Sequence, residues 1–182
     1  MIGKKNIVFG FIYLVLTAAL GPYMINSYFA DIGAAQADKQ TALSRLQDLK
    51  INQYEENLDL LNAGQIARAN TDGILALNKV NNAAAPVDSI KSGPHAHGNL
   101  EAMLNILAGL ALGFIAVSRL FKQIISWTFI AGALLHSGGL YLNSLFGIGV
   151  LVGPVGPVLV LLGLLLVGIA AAIGWQSEPV KD

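Results

Sequence analysis

The side chains that could bind a cofactor in this chain lie in or beside strongly apolar segments. His97, Glu101 and Asn105 recur every four residues, which places them on one face of a helix. His95 precedes His97 by two positions, and helix geometry does not direct both imidazoles to one face. An imidazole beside a carboxylate suits zinc or copper, and haem iron needs only one axial histidine. We therefore take His97 as the metal-ligand candidate, Glu101 as a cofactor-binding candidate and Asn105 as a catalytic candidate.

A second polar group interrupts a later apolar run. It comprises His136, Ser137, Gly138, Gly139 and Tyr141. The paired glycines remove side-chain bulk where a flat cofactor or another helix could approach. His136 is a further cofactor-binding candidate, expected near the middle of the membrane and deeper than His97. Each residue also has a structural interpretation: a core histidine, an interfacial tyrosine, or an asparagine such as Asn105 hydrogen-bonding between helices.

The composition indicates an integral membrane protein. Hydrophobic residues make up 54% of the 182 residues and charged residues only 12%. The formal net charge is zero, which argues against a nucleic-acid-binding surface. The chain has no cysteine, which excludes disulfides, thiolate metal sites and covalent haem attachment.

Four apolar runs predict four membrane-spanning helices, because each is close to the roughly 20 residues that a span requires. We predict an all-α fold, an integral membrane four-helix bundle with a helical extramembrane insert. Its parts are a first transmembrane span at 1–29, an extracytoplasmic helical insert at 30–96, a three-span membrane domain at 97–176 and a cytoplasmic tail at 177–182. The first span also resembles a signal peptide, but its length favours an uncleaved helix.

The basic residues predict the orientation. Lys4, Lys5, Arg119, Lys122 and Lys181 all fall on one side of a four-span arrangement. By the positive-inside rule, that side is cytoplasmic. We expect a multi-pass protein of a bacterial-type inner membrane with both termini in the cytoplasm.

The insert is more polar than the rest of the chain. Leu43, Leu46 and Leu49 recur at helical spacing, whereas residues 81–94 resemble a loop. The pattern favours amphipathic helices that cap the membrane domain or bind a partner.

Three segments resemble styrene oxide isomerase, a family of small four-span membrane enzymes that bind haem b. They are HAHGNLEAMLNILAGLAL, LLHSGGLYLNSLFG and VGPVGPVLVLLGLLLVGIAAAIGW, within about residues 94–175. The resemblance implies that His97 is the axial haem ligand and that Tyr141 holds the epoxide oxygen near the open face of the iron. It also implies a homotrimer with haem between neighbouring subunits. Met103 stands where the family has an active-site asparagine, and His136 where it has a small polar residue.

Three functional hypotheses follow. The favoured one is a haem b protein that converts a small apolar epoxide to a carbonyl compound, with ferric haem as Lewis acid and without net redox change. The second is an electron-transfer protein with haem held by both His97 and His136. The third is a non-enzymatic membrane protein whose insert binds a partner.

Overall fold

A computed structural model describes residues 1–148 and 154–180, and its regular structure there is helical apart from one small hairpin. The prediction of an all-α fold is confirmed. The first residues of the predicted fourth span, 149–153, and the end of the tail, 181–182, lie outside the described residues. The helices are α1 Lys4–Ala18, α2 Leu20–Ile51, α3 Ala63–Ile90, α4 Ala96–Ala111, α5 Arg119–Leu135, α6 Ser137–Phe146 and α7 Val155–Gly174, with strands β1 Glu55–Glu56 and β2 Asp59–Leu60.

Two prolines account for breaks in the helices. A proline removes a backbone donor and its ring clashes with the carbonyl four residues earlier. The residue four positions before Pro22 is Ala18, where α1 ends. The residue four positions before Pro94 is Ile90, where α3 ends. The second break is a π-helical turn, Lys91–His95, in which Gly93 has non-helical angles, φ −90° and ψ −106°.

Three helical runs within the described residues are long and apolar enough to cross a membrane: Lys4–Ile51, Arg119–Phe146 and Val155–Gly174. The predicted second span is not among them, so the four-span arrangement is not confirmed. Its helix, α4, has 16 residues, or about 24 Å at 1.5 Å per residue, against about 30 Å of hydrocarbon. The apolar sequence continues to Val117, but the helix ends at Ala111.

The chain forms two compact units. The first comprises Met1–Pro22 and Ser89–Asp182, and the second Tyr23–Asp88. In the first unit, α1 packs along α4 and α5 packs along α7. Its core contains Ala108, Leu112, Ile115, Ile125, Phe129 and Ala170.

Glycines allow α1 and α4 to approach closely. A Cβ atom at Gly109 would lie 2.6 Å from the carbonyl oxygen of Gly3 and 2.7 Å from Cγ1 of Ile7. At Gly10 it would lie 2.6 Å from Cγ1 of Ile106. Small residues at such crossings let membrane helices gain van der Waals contact over their backbones.

This crossing predicts opposite effects for two glycine-to-alanine substitutions. Gly109→Ala is expected to destabilise the protein by about 1–3 kcal/mol, because overpacking outweighs the better helix propensity of alanine. Gly168→Ala is the matched control on α7, where a Cβ atom meets nothing within 4 Å. It is expected to be neutral or to stabilise by up to about 1 kcal/mol. Unfolding in mixed micelles measures both, and equal effects would contradict the close approach.

The second unit contains most of α2, the hairpin and most of α3. Asn62 and Gln65 cap the start of α3 reciprocally: Asn62 Oδ1 accepts from the Gln65 amide, and Gln65 Oε1 accepts from the Asn62 amide. Arg45 forms an exposed ion pair with Glu56, 2.9 Å between Nε and Oε1, which lowers the pKa of Glu56.

The loop predicted at residues 81–94 was wrong. Helix α3 continues to Ile90, and Pro86 lies inside it. The alanines at positions 83–85 favour helix, and Pro86 interrupts a single backbone hydrogen bond.

Candidate functional site

Glu101 is the central residue of the candidate site. It lies on α4 with 3% of its surface exposed, inside the first unit. Ser137 donates a hydrogen bond from Oγ to Glu101 Oε2, and His136 Nδ1 lies 2.6 Å from Glu101 Oε1. When Glu101 is ionised it only accepts hydrogen bonds, and both neighbours then donate to it, His136 from a protonated Nδ1. A buried carboxylate is tolerated only with such donors.

The break between α5 and α6 brings both donors to Glu101. His136 joins the two helices with φ −90° and ψ −85°, and Ser137 is the first residue of α6. The hydrogen-bond chain extends to α1, because the Tyr13 hydroxyl lies 2.8 Å from Ser137 Oγ. Ser137 has one hydroxyl proton, which it donates to Glu101, so in the contact between the two hydroxyls Tyr13 is the donor. Residues from α1, α4 and α6 therefore form one polar chain across the interior.

His97 and His136 are in contact, contrary to the expected difference in depth. Their ring centroids lie 4.7 Å apart at an interplanar angle of 53°. The depth prediction assumed one straight third span, whereas the chain breaks at His136. Two rings at this separation are in direct contact, as in an ordinary aromatic pair, so the space between them does not admit a porphyrin in this arrangement.

His97 differs from Glu101 and Asn105 in exposure, although all three were expected on one face. Its imidazole is exposed, and within residues 1–148 and 154–180 neither ring nitrogen has a hydrogen-bond partner. Four exposed apolar side chains follow it along α4: Leu100, Met103, Leu107 and Leu110. His97 is thus a free nitrogen ligand at one end of an apolar helix face.

Asn105 belongs to a separate network in the interior. It is 1% exposed, and its Oδ1 accepts from Asn6 Nδ2 at 3.0 Å. Its Nδ2 donates to the carbonyl oxygens of Glu101 and Phe129. Ser126 donates to Asn6 Oδ1, which links α1, α4 and α5. This geometry gives Asn105 a helix-packing role.

Tyr141 lines a different part of the molecule from His97. A mostly apolar cavity of about 350 Å³ is lined by Tyr13, Leu16, Leu134, Gly138, Tyr141 and Leu142. Gly138 opens this cavity toward α1, because a Cβ atom there would lie 3.4 Å from the Tyr13 hydroxyl. Gly139 is buried. None of His97, Glu101 and His136 lines the cavity.

His95 holds α1 rather than facing His97. Its Nδ1 lies 2.9 Å from the carbonyl oxygen of Thr17, to which it donates. Thr17 in turn donates to Asn99 Oδ1 at 2.7 Å. The prediction that only one of the two histidines could join the site agrees with this geometry.

The sequence analysis missed the polar face of α1. Asn6, Gly10, Tyr13 and Thr17 are all buried and contribute to the contacts with α4, α5 and α6. Their spacing of four, three and four residues was visible in the sequence as one helical stripe of small and polar residues.

The described residues hold no group of three or more His, Cys, Asp or Glu side chains that could bind a metal ion. A haem iron held by one histidine needs no such group.

No protein-family model, no curated protein and no solved structure matches this chain.

Proposed function

We propose that this chain is an integral membrane protein that binds haem b through His97. The observation that carries this proposal is the exposed, unpaired imidazole at one end of the apolar face of α4. An apolar surface with a single nitrogen ligand is what a haem macrocycle and its iron require. Beside it, Glu101 fixes the ring of His136, so the surroundings of the ligand are held in one geometry.

The proposed reaction is the isomerisation of a small apolar epoxide to a carbonyl compound, as in styrene oxide isomerases. Haem would supply a ferric iron that acts as a Lewis acid. The apolar cavity beside Tyr141 suits a substrate with one polar atom, and a phenol hydroxyl can donate to an oxygen on which charge develops. Tyr13 is a second hydroxyl in the same cavity, and its link to Ser137 and Glu101 orients it.

The separation of His97 from the Tyr141 cavity supports a homo-oligomer. Within one chain the two residues do not share a cavity. A site that needs both is completed more easily between copies, and we propose the trimer that the resemblance implies. The exposed apolar face of α4 is the surface that such an assembly would bury.

We also propose a bacterial-type inner membrane with both termini in the cytoplasm. Lys5 donates to Gln123, so the first turns of α1 and α5 lie at the same end of the first unit. The same end carries the basic residues Lys4, Lys5 and Arg119, which the positive-inside rule assigns to the cytoplasmic side.

A visible absorption spectrum of the detergent-purified protein tests the haem proposal. We expect a Soret band, haem b on acid extraction and about one haem per chain. Incubation with styrene oxide is expected to yield the aldehyde without an added oxidant or reductant. Protein purified from haem-replete cells without a Soret band would refute haem binding, and haem without aldehyde would refute the isomerase.

The second candidate function is partner binding by the second unit. Ile74, Leu75 and Leu77 are exposed on α3, and Leu58 and Leu60 are exposed at the hairpin. This function predicts that deleting residues 38–88 abolishes the cellular phenotype while His97→Ala leaves it unchanged. The reverse result would exclude it.

A further inference from the structure

A groove lies between the first turns of α1 and α5, away from the candidate haem ligand. It has a volume of about 630 Å³, and its wall includes Lys4, Lys5 and Arg119. Lys4 and Arg119 are exposed, and among the described residues no carboxylate lines the groove. Three cations in one wall favour an anion there.

Lys5 is oriented toward this groove by the protein. Its ammonium donates to Gln123 Oε1 and lies 4.2 Å from the centroid of the Trp127 ring. Lys4 and Arg119 are the first residues of α1 and α5, so the positive ends of two helix dipoles add to the side-chain charges. The anion-binding character therefore has two sources, the backbone and the side-chain charges, of which that of Lys5 is held in place.

The rest of the groove is mostly apolar and leads onto the outer surface of α1. Its wall also includes Met1, Ile2, Val8 and Phe9, beside Gln123. Beyond them Phe11, Ile12 and Val15 are exposed along α1, in a segment apolar enough to lie in a membrane. A ligand that uses both parts must combine a negative headgroup with a hydrocarbon chain. A free phosphate would gain nothing from the apolar wall.

We propose that this groove binds the phosphate headgroup of an anionic phospholipid from the surrounding leaflet. Lys4 and Arg119 contact the headgroup, Lys5 adds a fixed positive charge, and one acyl chain lies along Val8. Basic pockets between membrane helices on the cytoplasmic side are suited to acidic lipid headgroups. Within residues 1–148 and 154–180, the wall offers no carboxylate to pair with the ammonium group of a zwitterionic lipid. The proposal does not depend on haem binding.

Native mass spectrometry of the detergent-purified full chain tests this proposal. Phosphatidylglycerol and phosphatidylcholine with the same acyl chains are titrated separately, and inorganic phosphate is added as a competitor. We expect phosphatidylglycerol to bind more tightly than phosphatidylcholine, with no displacement by phosphate. Equal binding of the two lipids would overturn the proposal, and displacement by phosphate would assign the site to the free anion. Both comparisons use the unmodified protein.

A double variant locates the site. Lys4→Gln with Arg119→Gln is expected to weaken phosphatidylglycerol binding by about 10- to 30-fold, since each cation near an acidic lipid contributes about 1 kcal/mol. Lys50→Gln with Lys91→Gln is the matched control. It removes the same charge from two exposed lysines that do not line the groove, and it should leave lipid binding unchanged. Equal losses in the two double variants would show a general effect of charge and overturn the assignment to this groove.

Discussion

Replacing His97 by alanine is expected to reduce the haem content of the purified protein to less than about a tenth of wild type. The reason is that the iron would lose its only protein ligand, and the neighbouring imidazole of His136 has its Nδ1 hydrogen-bonded to Glu101. The Soret absorbance relative to protein absorbance measures the loss. Isomerase activity should fall in the same proportion, because the remaining residues have no Lewis acid to substitute for the iron.

Two other histidine variants make this result specific. His95→Ala removes a hydrogen bond to the carbonyl of Thr17 and should keep its haem. His136→Ala should also keep its haem but with a shifted spectrum, since the ring beside His97 is lost. Retention of full haem in His97→Ala, or loss only in His136→Ala, would contradict the assignment of the ligand.

Ionisable residues inside apolar segments were recognisable from the sequence because their burial in a membrane is costly. Glu101 and His136 stood out for that reason, and the structure brings them within hydrogen-bonding distance. Their pairing could not be predicted, because it depends on the break at His136. Ser137, Gly138 and Gly139 weaken the helix there, but such residues also occur inside unbroken membrane helices, so they do not specify a break at His136.

The length of α4 shows a second limit of the sequence. Hydropathy follows the apolar residues through Val117, but it does not show where backbone hydrogen bonding stops. The helix ends at Ala111, and the segment after it pairs with the end of α7 instead: the Ala116 amide donates to the carbonyl of Gly174 at 2.6 Å. The residues after Ala111 thus take part in a tertiary contact instead of a longer helix, and a prediction from composition alone could not include that contact.

Replacing Glu101 by leucine is expected to be among the most destabilising single substitutions in the first unit. Ser137 would keep only the carbonyl oxygen of Ala133, 3.2 Å from its Oγ, and the partly buried His136 would lose the acceptor of Nδ1, at about 1–2 kcal/mol for each donor. The expected total is about 2–4 kcal/mol, measured by unfolding in mixed micelles. Glu101→Gln should lose less stability than Glu101→Leu, because the amide oxygen of glutamine still accepts from one of the two donors.

Met103→Leu is the matched control on the same helix. Met103 is 45% exposed and makes no polar contact in the described part of the chain, so its replacement should change stability by less than about 0.5 kcal/mol. Nitrogen chemical shifts of His136 give a second measurement, since an ionised Glu101 favours the tautomer with the proton on Nδ1. Equal stabilities of Glu101→Leu and Met103→Leu, with the His136 tautomer unchanged, would show that the Glu101 contacts do not exist.

The sharpest form of this prediction is a double-mutant cycle with Ser137→Ala. Removing one partner leaves a buried group unsatisfied, whereas removing both can be nearly neutral. Ser137→Ala should therefore destabilise the wild-type protein but have little effect, or a favourable one, when leucine occupies position 101. The summed stability losses of the two single variants should exceed the stability loss of the double variant by about 1 kcal/mol or more, as expected of directly bonded residues. Additive effects would mean that Ser137 and Glu101 act independently, and the polar chain from Tyr13 to His136 would not be a single unit.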